Sequence, residues 1–131
     1  MKQALPLRFP AILKPLIFVV LAAFWIATGL ISVGPGRERG IGLMIEGGAS
    51  HDVALLVTLA GGFADIAIGC LIAVRRSARV GLFLALLISV AYAIVGTILL
   101  PQLWIDPLGP MLKIAPVMVL HLVALALLED Q

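Results

Sequence analysis

The stretch from Val53 to Val74, VALLVTLAGGFADIAIGCLIAV, decides the fold. It is apolar over a length sufficient to cross a bilayer, and it carries one acid, Asp65, in its middle. An acid at that depth costs about 2.5 to 3.5 kcal/mol even on the lenient insertion scale. Asp65 therefore needs a partner, a proton or a task.

Working outward, three further apolar spans appear. The first covers Pro15 to Val33, with Lys14 just before it and Gly34-Pro35-Gly36 ending it. A cleaved signal peptide competes for this segment, but its apolar run is longer than such a leader uses. The third span, Val80 to Leu100, has no charge, and the fourth runs from Pro110 to Leu128 before Glu129-Asp130. The expected fold is thus all-α, a single domain over residues 1–131 built as a four-transmembrane-helix up-down bundle. Connections are short except Gly34 to Asp52, which holds Arg37, Glu38, Arg39 and Glu46 around Ile41, Leu43, Met44 and Ile45. That mixture suits either a short interfacial helix or a solvated loop, since its glycines weaken a helix. Asp52 is the expected cap of the second span. Pro116 predicts a kink in the fourth, between Lys113 and His121.

Composition agrees with membrane burial. The chain is 63% hydrophobic and 12% charged, about half the usual charged fraction. The net charge of +2 is no nucleic-acid signal, because the basic residues flank apolar runs as topology anchors. Lys2, Arg8, Lys14, Arg75, Arg76 and Arg79 fall on one side, against Arg37, Arg39 and Lys113 on the other. Both termini are expected in the cytoplasm, with the loop 34–52 outside, in a bacterial-type inner membrane. Cys70 stands alone, which excludes a disulfide framework, and it reads as a small buried hydrophobe. No phosphate loop, Ser/His/Asp arrangement or metal-ligand spacing is evident.

The residues with chemistry gather at one depth. At 1.5 Å per residue, Asp65 lies roughly 18 Å below the outer end of span two and His121 roughly 16 Å below that of span four. Tyr92 and Trp25, counted from the inner side, fall near the same level. Two readings stand. In one, the layer lines a small cavity where Asp65 and His121 share a proton, or hold the polar end of an apolar ligand. In the other, Asp65, His121 and Tyr92 hydrogen-bond to one another and fasten the bundle, each contact contributing about 0.6 kcal/mol. Gly61, Asp65 and Gly69, with Thr58, form a small-residue face on span two, as Gly81, Ala85, Ser89 and Ala93 do on span three; both suit close helix packing. Lys113 reads as a snorkelling residue or a counter-charge to Asp106. Arg75, Arg76 and Arg79 read as anchors, with an acidic lipid headgroup or a soluble partner as their alternative ligands.

Three segments resemble the DoxX-like family. They are Phe24-Trp25-Ile26-Ala27-Thr28-Gly29-Leu30, then Gly61-Gly62-Phe63-Ala64-Asp65-Ile66-Ala67-Ile68-Gly69, then Asp106-Pro107-Leu108-Gly109-Pro110-Met111-Leu112-Lys113. The chain also ends on Leu127-Leu128-Glu129-Asp130, as members often do. Members often carry Glu where this chain has Asp65, which keeps the acid and shortens its reach. The resemblance implies an accessory subunit without catalysis of its own, serving a quinone-linked redox enzyme or a dehydrogenase. It brings Thr28 in beside Asp65, His121, Tyr92 and Trp25 as a secondary candidate, with Asp106 and Lys113, and makes quinone the one cofactor to consider. Expected partners are membrane lipid, a soluble or membrane oxidoreductase and a second copy of the chain. The rival is a small proton-coupled transporter, whose essential acid lies in its first span, where this chain has none.

Overall fold

The computed structural model describes residues 11–106, 111 and 113–129. Lys2, Arg8, most of the loop beginning at Asp106, and Asp130 lie outside the described residues. The chain is helical: α1 Leu13–Val33, α2 Arg37–Glu46, α3 His51–Ala73, α4 Ala78–Leu99, a 3-10 helix Pro101–Ile105, and α5 Ile114–Glu129. Among the described residues, α1, α3 and α4 are long and apolar enough to cross a membrane, and α5 is a shorter apolar helix.

Local chemistry sets the ends. Pro15 sits in the first turn of α1, where its missing N–H costs nothing. Gly34 closes that helix by donating its N–H to the Leu30 carbonyl at 2.9 Å. Ser50, not Asp52, caps α3: its hydroxyl accepts from the Val53 N–H at 3.3 Å, and Asp52 falls inside the first turn. Between α3 and α4 the Ser77 hydroxyl donates to the Leu71 carbonyl at 2.7 Å, occupying an acceptor that the helix end leaves open. The segment after α1 forms the helix α2, the first of its two possible readings. Gly48, with φ 106°, lets the chain turn from α2 into α3.

In the region of the fourth expected span, 110–128, the described helix is α5, of 16 residues. Because α5 starts at Ile114, Pro116 lies in its first turn, where a missing N–H interrupts no bond within the helix. Sixteen residues rise about 24 Å, short of the roughly 30 Å hydrocarbon core.

The surface is inverted relative to a water-soluble protein. Val19, Leu87 and Ile98 are 63%, 67% and 73% exposed, on the faces that lipid would cover. Cys70 is also exposed, against the expectation of a buried thiol, because it points away from the neighbours of α3. The core joins Leu21, Trp25, Ile68, Ile72, Leu82, Ala124 and Leu125 from four helices.

The closest helix pair is α1 with α3. A Cβ added to Gly29 would collide with the Gly62 carbonyl, and one added to Gly69 would lie 2.8 Å from the Ala22 carbonyl. Such contact needs small residues, since lipid supplies no hydrophobic drive between helices. The small-residue face foreseen on α3 is therefore divided. Gly69 joins Gly62 against α1, whereas Gly61 turns toward Tyr92. On α4, Gly81, Ala85 and Ser89 are buried.

Candidate functional site

Two polar pairs lie inside the bundle. In the first, the Tyr92 hydroxyl on α4 donates to Asp65 Oδ1 on α3 at 3.1 Å. In the second, the Trp25 indole N–H on α1 donates to His121 Nε2 on α5 at 2.8 Å. Gly29 packs against Gly62 and Ile66, and Gly69 against Ala22 and Ile26. These contacts put Trp25 and Asp65 within about one helical turn, ~5 Å, of the same depth.

Donor chemistry defines the histidine. An indole nitrogen only donates, so Nε2 is the accepting nitrogen and the proton sits on Nδ1. Nδ1 then donates to the Val117 carbonyl at 2.6 Å. Both ring nitrogens of the neutral imidazole are occupied, and neither is bonded to Asp65. The Trp25 and His121 rings meet edge to face, with centroids 5.7 Å apart. His121 is fully buried and Trp25 nearly so.

Asp65 has a different setting. It is buried, yet it lines a half-open cavity of about 450 Å³ formed by α1, α2, α3, α4 and the 3-10 helix. The walls are mainly apolar, including Leu43, Met44, Val57, Val95, Leu99 and Leu103. Polar groups come from Thr28, Ser32 and Thr58, with Asp65 and Tyr92. Among the described residues, no lysine, arginine or histidine lines it. Few polar groups converging in an apolar hollow is the usual make-up of a small-molecule site.

The candidate residues thus separate. Asp65, Tyr92 and Thr28 meet at the cavity, while Trp25 and His121 form a sealed pair. Asp106 ends the 3-10 helix and is half-buried; Lys113 is exposed just before α5, and neither lines the cavity. Ser32 was missed. Its signal was its place one turn after Thr28 on the same face of α1. Leu43 and Met44 were read only as part of an interfacial segment, yet they wall the cavity. Among the described residues, no cluster of three or more His, Cys, Asp or Glu side chains could hold a metal.

An apolar helical bundle with three helices of membrane-crossing length, a shorter apolar fourth and an acid at a mid-helix cavity defines a small membrane-embedded protein. Residues 22–122 match the DoxX-like family, and the chain belongs to that family. Comparison with curated proteins and with solved structures gives no match.

Proposed function

We propose that this protein is a non-catalytic binding subunit of the membrane, which holds the polar end of a small apolar molecule at Asp65 and Tyr92. The observation that carries this reading is the cavity of about 450 Å³ ending on that pair. Its apolar walls would accept a hydrocarbon tail. Its hydroxyls would meet a carbonyl or hydroxyl, since Thr28, Ser32 and Thr58 can each donate or accept. A quinone head is compatible with that donor set. A quinone-linked redox enzyme or a dehydrogenase is the partner class we propose, and this part is supported by the family relationship alone.

We further propose that α5 is a fourth crossing, which places both termini in the cytoplasm and α2 on the outer face. Arg75, Arg76 and Arg79 in and beside the short turn after α3 support this orientation. Cysteines placed one at a time at Ser50 and Ser77, in a Cys70→Ser background, test it. Labelling from outside should reach position 50; labelling at 77 alone reverses the assignment.

The proton-coupled transporter has less support. It needs a route from Asp65 to the arginine end, and Leu21, Ile68, Ile72 and Leu82 are packed there as core.

The binding reading is tested by extracting the purified protein and identifying retained apolar molecules by mass spectrometry. Wild type should retain one species, and Asp65→Asn and Tyr92→Phe should lose most of it. Equal retention in all three proteins would overturn the site. Co-purification of an oxidoreductase from native membranes tests the partner separately.

A further inference from the structure

A second pocket lies at the opposite end of the bundle from α2. It is a half-open hollow of about 440 Å³ between the start of α1, the end of α3, the start of α4 and the end of α5. Phe18, Val19, Ile72 and Leu128 supply apolar walls, and Lys14 and Arg75 supply two cations. Among the described residues, no acid lines it. Neither α1 nor α4 carries an acid in its first turn. Lys14 is half-buried, so its stem runs along the apolar wall while its ammonium stays at the edge. Arg75 is exposed and already engaged within the protein. A guanidinium has five N–H donors in a fixed fork.

We propose that this pocket binds an anionic phospholipid, the phosphate between Lys14 and Arg75 and an acyl chain along Phe18, Val19 and Ile72. Both halves of the arrangement are needed for that occupant. Two cations from separate segments match a phosphate, which arginine recognises with paired donors. Apolar walls next to them match the chain of a lipid and have no use for a free inorganic anion. Basic pockets between membrane helices at the cytoplasmic boundary take lipid headgroups by this combination. The pocket shares no lining residue with the Asp65 cavity, so it is independent of the ligand proposed there, and only its place at the cytoplasmic boundary rests on the orientation proposed above.

The test uses the whole protein in an uncharged detergent, with thermal unfolding and native mass spectrometry as readouts. Phosphatidylglycerol should raise the melting temperature and remain bound, and phosphatidylcholine with the same chains should do neither at equal concentration. Lys14→Gln with Arg75→Gln should weaken the phosphatidylglycerol effect at least about tenfold, the size expected when charge-assisted contacts are lost. Arg37→Gln, on α2 at the other end, should leave it unchanged. Ala73→Phe, which fills the apolar wall and keeps both charges, should also weaken it. Equal effects of the two lipids on wild type overturn the proposal even if the double variant does not fold. A full effect retained in the double variant overturns it as well. An equal shift from glycerol phosphate alone means that no chain is recognised, and the lipid assignment falls.

Discussion

Trp25–His121 and Asp65–Tyr92 lie at nearly the same depth, each joining two helices, yet they differ in what surrounds them. His121 is 0% exposed and Trp25 is 3% exposed, with both imidazole nitrogens occupied. Tyr92 is 40% exposed, and its bond to Asp65 borders a cavity. A buried polar group with every partner in place is costly to disturb and has nothing left to offer a ligand. A polar group beside empty space keeps capacity for another contact. The comparison teaches that depth in a membrane does not by itself mark function; the space next to a polar group does.

The sharpest way to break this contrast is His121→Ala. It leaves a hollow in the core and an indole N–H without its acceptor, so we expect a loss of about 3 kcal/mol or more. Reversible unfolding in detergent measures it, and a loss below about 1 kcal/mol would remove the sealed pair from the architecture. Trp25→Phe keeps most of the volume and strips His121 Nε2 of its donor, for an expected cost of about 1 to 3 kcal/mol. Tyr92→Phe should cost only about 0.6 kcal/mol, the mean for a hydrogen bond between membrane helices. Asp65→Asn should cost no more than that, because an amide oxygen still accepts from Tyr92. On the proposed function, its larger effect should fall on ligand retention. Weaker retention at every pH between about 5 and 8 marks recognition, whereas loss of a pH dependence seen in wild type marks proton handling. If Asp65→Asn destabilises the protein as much as Trp25→Phe, the two pairs are alike and the contrast fails.

Hydropathy reveals α1, α3 and α4 to within two residues at each end, because an apolar run of that length has one use. At α3 the two-residue error comes from local hydrogen bonding. Ser50 lies one residue before His51 and outside the apolar run, yet its hydroxyl starts α3. Residue counting also brings Asp65, Tyr92, Trp25 and His121 toward one level, since the rise per residue is nearly constant. Which of them touch depends on something counting does not supply: the rotation of each helix and the identity of its neighbours. The glycine contact of α1 with α3 sets that rotation, directing Gly62 and Gly69 at α1 and leaving Gly61 for Tyr92. The expected span starts before α5 because apolar residues ahead of Ile114 continue the hydropathy signal, although Met111, the one of them that is described, lies in a turn.

The Trp25–His121 bond has a consequence for how the chain is made. Its partners are 96 positions apart, and they belong to the first and last helices. As the chain leaves the ribosome, α1 and α3 are both complete while α5 has yet to be synthesised. The indole of Trp25 therefore waits for its acceptor until the last helix arrives. An incomplete chain thus carries an unpaired indole donor in the middle of α1 and lacks Ala124 and Leu125, the α5 side chains that complete the core.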